Sequence, residues 1–244
     1  METGSLDSHV KENILRAEFD LLADEYHDLH KVNVAITGEG PEYFAEYKIA
    51  DLSMLARKKG FAVDRILDFG SGIGNSIPHF RKYFSGSKIT CADVSARSID
   101  ISQRRFVGDE SYLLLDEEIP LASHSQDIVF SACVFHHIPH KQHQHWLTEL
   151  RRITRPNGLL AIYEHNPLNP LTLHAVNTCP LDVNARLIRG GIMRHRATTS
   201  GWGHARVDYR LFFPAILRPL RPLEQHLGWL CFGAQYRMTA RSPV

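Results

Sequence analysis

The sequence predicts an α/β protein of the doubly wound, Rossmann-like class. The first observation is a short apolar run, residues 66–69, that leads into a glycine-rich turn and then into a helix start. The second is that strand-like runs alternate with helix-like segments through the middle of the chain. The third is the length of 244 residues, which suits one large α/β domain with a sizeable core.

Three glycines, Gly70, Gly72 and Gly74, follow the apolar run at alternate positions. Without a Cβ, each lets the backbone come close to a ligand, and the helix start behind them points backbone N–H groups at it. A dinucleotide-binding turn would carry its third glycine at position 75, where Asn75 stands. Asp68 would sit badly beside a pyrophosphate, whereas its carboxylate suits an ammonium or sulfonium group.

This turn resembles the first motif of the class I S-adenosylmethionine-dependent methyltransferases. Residues 126–138 are similar to the strand-four segment of that family, including the pair His136-His137, although Gln126 replaces the usual aromatic residue. Residues 155–158, Arg-Pro-Asn-Gly, resemble the turn before its strand five. The resemblance is to the type 11-like, small-molecule group, and it covers residues 20–165 well and the remainder in outline.

The spacing of apolar residues predicts the elements in order. Strands are predicted at residues 65–69, 88–92, 111–115, from 126 into an apolar turn, and at 159–164, 205–213 and 232–240. Helices are predicted at residues 10–30, 42–59, 75–84, 95–105 and 141–152. The resemblance implies a seven-stranded sheet whose last strand runs antiparallel at the sheet edge.

Two further segments are expected to shape the site. The resemblance implies that residues 1–60 form an N-terminal helical cap on a methyltransferase domain of residues 61–244. A segment at about 167–203 replaces the short connection expected after strand five. Its apolar spacing predicts one or two helices laid over the site as a lid.

Composition and charge exclude some classes and leave others open. No run of 18 apolar residues and no signal-peptide core is present, so we expect a soluble, cytoplasmic protein without membrane contact. The four cysteines show no metal spacing and suit core packing. Residues 151–244 carry four acidic residues and thirteen arginines. These arginines indicate either an anionic acceptor or partner, or a solvated face with a preference for arginine.

The cofactor implied by the resemblance is S-adenosylmethionine, with S-adenosylhomocysteine as product. Asp93, about 20 residues past the turn, fits a carboxylate that binds ribose hydroxyls. Asp116 is expected to accept from the adenine amino group, with Glu117 as the alternative if the register slips by one. The predicted cofactor-binding residues are Tyr26, Asp68, Gly70, Ser71, Gly72, Gly74, Asp93, Val94, Asp116, Glu117, Ser131 and Val134.

Methyl transfer from a sulfonium is an in-line displacement with a neutral leaving group, so it needs no acid and no metal. A base is needed only if the acceptor must lose a proton. His165, His136 and Glu164 are the predicted catalytic residues, and His165 ranks first because the end of strand five faces both donor and lid. The predicted acceptor-binding residues are Tyr43, Tyr47, Lys48, His137 and Asn166. Ordinary packing is the alternative for each of these side chains.

No metal is expected. The histidines at positions 136, 137, 140, 143 and 145 form a cluster, but Pro139 breaks any shared helical face. The sequence also places no cysteine or carboxylate nearby to complete a coordination shell.

The favoured function is methyl transfer to an O, N or C atom of a small molecule such as a secondary metabolite or sugar. The alternatives are a non-catalytic cofactor-binding module, an RNA methyltransferase and an NAD-dependent oxidoreductase. Asn75 and Asp68 argue against NAD. The near-neutral net charge argues against nucleic acid. A monomer and a homodimer both remain open.

Overall fold

The computed structural model describes Asp20, Ala23 and residues 26–244. Seven strands form one sheet in the order β3-β2-β1-β4-β5-β7-β6. They are β1 (Arg65–Phe69), β2 (Lys88–Asp93), β3 (Ser111–Leu114), β4 (Gln126–Ala132), β5 (Thr154–His165), β6 (Gly203–Arg210) and β7 (Gln235–Arg241). The first five are parallel and β7 is antiparallel to both of its neighbours. This confirms the predicted fold class.

Helices cover both faces of the sheet. They are α1 (Tyr26–Val34), α2 (Pro41–Lys58), α3 (Ile77–Tyr83), α4 (Ala96–Arg105), α5 (His143–Ile153), α6 (Pro170–Thr178) and α7 (Gly190–Thr199). Short 3₁₀ segments lie at Ala35–Thr37, His140–Gln142, Pro180–Asp182 and Ala215–His226. None of these described helices has the length and apolar character needed to cross a membrane.

The core lies in two layers because side chains alternate along buried strands. On β1, Ile66 packs with Phe80 of α3 on one face, and Leu67 packs with Leu150 of α5 on the other. The central strands are buried on both sides, as parallel strands under helices must be. This layering puts the carboxyl ends of β1, β2, β4 and β5 at one open edge, where a ligand can bind.

The structure corrects three details. β7 lies between β5 and β6, so the sheet edge is β6 and not the last strand. β6 ends at Arg210, since the next residue, Leu211, has a positive φ of 62° that an extended strand cannot use. The predicted turn at residues 155–158 is an irregularity within β5, where Asn157 takes a φ of 62°.

The cap helix α2 is fixed to the sheet by a buried ionic network. Asp51 on α2 accepts hydrogen bonds from Arg237 of β7 at 2.7 Å and from the hydroxyl of Tyr163 of β5 at 2.8 Å. Arg210 lies 3.3 Å from the same carboxylate. The predicted first helix, residues 10–30, lies largely outside the described residues, and α1 begins at Tyr26 within that range and continues past its expected end to Val34.

The segment after β5 divides into two parts. α6 and the 3₁₀ turn Pro180–Asp182 lie on the open edge of the sheet, where a lid was predicted. α7 instead belongs to the helical layer, because Met193 and Ala197 are buried in the core cluster beside α5. The prediction that all of residues 167–203 covers the site is therefore wrong for α7.

Candidate active site

A cavity of about 410 Å³ opens at the carboxyl ends of the parallel strands. Its floor is the turn after β1 together with the ends of β2 and β4. One wall comes from residues 30–48 of the cap and another from residues 169–182. A third wall is formed by residues 211–214 with Arg221. Four separate parts of the chain thus enclose one space.

The three turn glycines have different surroundings. All have positive φ angles, 76° at Gly70, 52° at Gly72 and 80° at Gly74. A Cβ on Gly70 would lie 2.3 Å from Val134, and one on Gly74 would lie 2.2 Å from the Ser102 hydroxyl. A Cβ on Gly72 would meet nothing within 4 Å. Gly70 and Gly74 therefore allow packing, whereas Gly72 leaves room for a ligand.

Asp93 organises the floor. Its carboxylate accepts hydrogen bonds from the backbone N–H groups of Gly72 at 2.8 Å and Ser95 at 2.9 Å. Burial raises the pKa of Asp93, although these hydrogen bonds partly oppose that rise. Ser95 in turn caps α4 by accepting from the N–H of Ser98. The carboxylate therefore fixes the turn while it lines the cavity.

Asp68 is a buried carboxylate with an unsatisfied oxygen. It is 2% exposed, it lines the cavity, and its Oδ2 has no hydrogen-bond partner among the described residues. Burial, with the nearby charge of Asp93, raises the pKa of Asp68 to about 8. A cationic group entering the cavity would stabilise the ionised form. The site therefore fits a ligand that carries an ammonium or sulfonium charge. The space beside the Gly72 backbone is free to hold the rest of that ligand.

Glu164 holds the loop that follows β4. It is buried and accepts from the backbone N–H groups of Val134 at 3.0 Å and Phe135 at 2.7 Å. Its other oxygen contacts His136 Nδ1 at 2.5 Å. Burial alone would lower the pKa of His136, but Glu164 and Asp182 raise it to about 10. Neither partner of this pair is therefore poised to take a proton from an acceptor at neutral pH.

His137 and His165 also line the cavity. Burial, together with the charge of His136, lowers the pKa of His137 to about 3 and that of His165 to about 4. Both rings are therefore neutral at pH 7. Such a weakly basic imidazole can accept a hydrogen bond but is a poor general base.

Lys48 supplies positive charge on the cap side of the cavity. Its side chain is buried, lines the cavity and forms no ion pair among the described residues. Arg221 on the opposite wall is differently placed, because it pairs with Glu39 at 2.8 Å and stacks over the ring of Tyr43 at 4.5 Å. Within the part of the chain that the structure describes, Lys48 is thus a cavity cation without an ion pair.

Several predicted site residues lie away from the cavity surface. The amide of Asn166 donates to the carbonyls of Cys231 and Gly233 at 2.9 and 2.8 Å, and this corrects its predicted contact with the acceptor. Tyr47 points to Glu224, with 3.5 Å between the oxygens, and also leaves the acceptor wall. Asp116 and Glu117 are exposed, while the preceding Leu115 lines the cavity.

The remaining predicted residues divide in the same way. Ser131, Glu164 and Gly74 are not on the cavity surface, and the side chain of Tyr26 lies outside the described part of the chain. The structure brings the others together around one space: Asp68, Gly70, Ser71, Gly72, Asp93, Val94, Val134, Tyr43, Lys48, His136, His137 and His165.

Asp182 is the main residue that sequence reasoning missed. It lies in the 3₁₀ turn after α6, and its Oδ1 is 3.4 Å from His136 Nε2 and 3.5 Å from His137 Nε2. Burial opposes ionisation of Asp182, but its contact with the charged ring of His136 lowers its pKa to about 2. One signal was available, since Asp182 is one of only four acidic residues in the last 94 residues.

Comparisons with known proteins agree with this geometry. A family model described as a methyltransferase domain matches residues 67–162. A malonyl-[acyl-carrier protein] O-methyltransferase of Yersinia pestis is 34% identical over 103 residues, or 39% of this chain. The chain spans about a third of the length of that relative, since the match covers 34% of it.

Solved structures share the fold at low sequence identity. A methyltransferase from Archaeoglobus fulgidus has a TM-score of 0.59 at 14% identity and covers 82% of this chain and 98% of its own. A possible histamine N-methyltransferase from Thermotoga maritima has a TM-score of 0.63 at 17% identity, covering 93% and 99%. Phosphoethanolamine N-methyltransferase 2 of Haemonchus contortus, solved with S-adenosylmethionine, has a TM-score of 0.57 at 17% identity, covering 80% and 52%.

The domain match, the fold and the buried Asp68 carboxylate beside the glycine turn agree with one another. They confirm the resemblance noted in the sequence and the cofactor it implies. Residues 67–162 match a methyltransferase-domain family, and the chain has the fold of solved S-adenosylmethionine-dependent methyltransferases.

Proposed function

We propose that this protein transfers a methyl group from S-adenosylmethionine to a small, anionic acceptor. The observation that carries the proposal is Lys48, a buried cation without an ion pair among the described residues, in the same cavity as Asp68. A buried ammonium group needs a counter-charge. An acceptor that brings a carboxylate or phosphate would supply it.

The enclosed cavity supports a small acceptor rather than a polymer. Its volume of about 410 Å³ lies in the usual range for small-molecule sites. Residues 169–182 and the cap close it from two sides, and we infer that they act as a lid over acceptor and cofactor. A nucleic-acid strand would need an open, positively charged groove instead.

Each residue has a role in this scheme. The bound cofactor supplies a sulfonium methyl group whose departure leaves a neutral thioether. Asp68 pairs with the positive charge of the cofactor, and Asp93 and Gly72 present polar groups to its ribose. Lys48 orients the anionic acceptor, and the ring N–H of neutral His165 can donate a hydrogen bond to it. Orientation of this kind contributes about 7–11 kcal/mol to rate enhancement in favourable cases.

The charge states favour an acceptor that needs no strong base. His165 has a pKa of about 4, and His136 is held protonated by two carboxylates. A carboxylate acceptor is already ionised at neutral pH and can attack the methyl group directly. The name of the Yersinia pestis relative, an O-methyltransferase of a malonyl-bearing carrier, is consistent with an acidic acceptor.

The test is transfer of labelled methyl from S-adenosylmethionine to a panel of small carboxylic acids, phosphates and neutral amines. We expect product from an anionic member. Lys48→Met should raise its KM by at least about 10-fold, the loss of one charge-assisted contact, and leave S-adenosylhomocysteine affinity unchanged. Lys58→Met, an exposed lysine on the same helix, is the control. Product from neutral amines alone, or an unchanged KM in Lys48→Met, would refute the anionic acceptor.

The same experiments separate the alternatives. A non-catalytic module would bind S-adenosylhomocysteine but give no labelled product with any acceptor. An oxidoreductase would bind NAD and not S-adenosylhomocysteine. Label that appears in added RNA, and in no small molecule, would identify a nucleic-acid methyltransferase.

A further inference from the structure

We propose that His136, His137 and Asp182 form a binding site for a tetrahedral divalent metal ion of the Zn²⁺ type, open to the active-site cavity. Three potential ligand atoms, one from each residue, lie within 4.8 Å of one another. All three residues line the cavity. The sequence argued against a metal because no carboxylate stood near the histidines, and the fold supplies that carboxylate from the lid.

The spacing of the ligand atoms is that of a coordination shell. Asp182 Oδ1 is 3.4 Å from His136 Nε2 and 3.5 Å from His137 Nε2. Zinc bonds of about 2.0–2.1 Å at tetrahedral angles place neighbouring ligands about 3.3–3.4 Å apart. Octahedral ligands at the same bond length would be about 2.9–3.0 Å apart. The two separations from Asp182 therefore match tetrahedral geometry better than octahedral geometry.

His136 is oriented as a metal-binding histidine is. Its ring is buried, and Nδ1 contacts the Glu164 carboxylate at 2.5 Å. Nε2 is buried and makes no hydrogen bond among the described residues. Histidines that bind metals commonly use one ring nitrogen for the metal and the other for a carboxylate. Glu164 is thus the orienting partner, and Nε2 is left for a cation.

The charges of the cluster are compatible with a bound cation, which would replace one proton of the charged His136 ring between Glu164 and Asp182. Two buried carboxylates, Glu164 and Asp182, meet at this cluster. In the described part of the chain neither forms an ion pair with a lysine or arginine. A divalent ion with two neutral histidine ligands would balance both negative charges.

The site would be open on the cavity side. Three protein ligands and one free position are the arrangement of catalytic zinc sites. If the proposed methyl transfer is correct, a carboxylate or phosphate oxygen of the acceptor would occupy the free position, and the ion would help to orient it.

The test is metal binding by the whole chain after dialysis against a chelator. Calorimetry with Zn²⁺ and visible absorption with Co²⁺ should both give one ion per chain, with the intense spectrum of tetrahedral Co²⁺. Asp182→Asn and His137→Ala should each weaken binding by more than about 10-fold. His140→Ala, an exposed histidine of the same segment, should leave it unchanged.

Two results would overturn the proposal. One is the absence of a stoichiometric ion and of the tetrahedral spectrum. The other is binding that persists in Asp182→Asn or that falls equally in His140→Ala, as adventitious binding to exposed histidines would. S-adenosylhomocysteine titration of each variant, without acceptor, reports separately on the cofactor site and on correct folding.

Discussion

Gly72 and Gly74 are two residues apart in one turn, but they face different surroundings. The position of a Cβ on Gly72 opens into the cavity, whereas on Gly74 it collides with Ser102. Sequence spacing alone treats the two glycines as equivalent. Gly72 therefore leaves space for a ligand, and Gly74 is needed for packing within the fold.

This difference predicts opposite effects for two alanine substitutions. Gly72→Ala should weaken S-adenosylhomocysteine binding by more than about 10-fold, while strain at its positive φ costs about 1–2 kcal/mol of stability. Gly74→Ala should mainly destabilise the fold, by about 3 kcal/mol or more, because strain and overpacking add. Calorimetry and chemical denaturation measure the two quantities. Equal loss of stability in both variants would contradict this division.

Asp68 predicts a pH dependence of cofactor binding. Its pKa of about 8 means that it is mostly protonated at pH 6. A cationic ligand binds the ionised form, so affinity should rise with pH, by up to about 10-fold per unit, and level off near pH 8. The ligand's own amino group stays largely protonated over this range. Titrations with S-adenosylhomocysteine between pH 6 and 7.5 measure this change of affinity with pH.

Asp68→Asn is the control for that prediction. It keeps the shape of the side chain but cannot ionise, so binding should be weaker and nearly independent of pH. If the wild-type affinity is flat over this range, or if the variant keeps the slope, Asp68 is not the titrating group.

At the scale of elements, α2 depends on one buried network. Asp51 holds Arg237, Tyr163 and Arg210 and thereby joins the cap to β5, β6 and β7. Because α2 also carries Lys48 into the cavity, this network positions part of the acceptor wall. Removing one partner would leave buried charges uncompensated.

Asp51→Ala should therefore lower the free energy of unfolding by about 3–5 kcal/mol. Asp208→Ala is the matched control, since it removes a second carboxylate from the same Arg237 but is 39% exposed in its side chain. Its cost should stay below about 1 kcal/mol. Urea denaturation of both variants measures the two losses in free energy of unfolding. Similar losses would contradict the argument that burial of Asp51 makes its ion pairs more important for stability.

At the scale of the molecule, ligand binding should slow hydrogen exchange in several segments that are distant in sequence. Residues 30–48, 68–76, 169–182 and 211–214 all contribute to one cavity. We expect S-adenosylhomocysteine to slow hydrogen exchange in the first two and an acceptor to extend this to the last two. α7 serves as the internal control, because it lies away from the cavity. Protection confined to residues 68–76 would contradict an enclosed site.

The arginine-rich last third is used largely within the fold. Eight of its thirteen arginines donate to protein groups: Arg151, Arg152, Arg155, Arg196, Arg210, Arg221, Arg237 and Arg241. The anionic-partner interpretation of this composition is thus weakened, and Lys48, the cavity lysine for which the described residues provide no ion pair, stands in the acidic first third. Composition could not distinguish these cases, because it records charge and not pairing.

The sequence by itself determined the class of fold and the floor of the site. Alternating apolar patterns set the strands, and the glycines with Asp68 and Asp93 are local features read within single elements. Only the tertiary structure decided the walls. Asp182 meets His136 across 46 positions of chain, and Arg237 meets Asp51 across 186. The side chain of Asn166, next to the predicted base His165, donates to a backbone carbonyl and does not line the cavity. Such contacts depend on how separate elements pack, and sequence spacing carries no record of it.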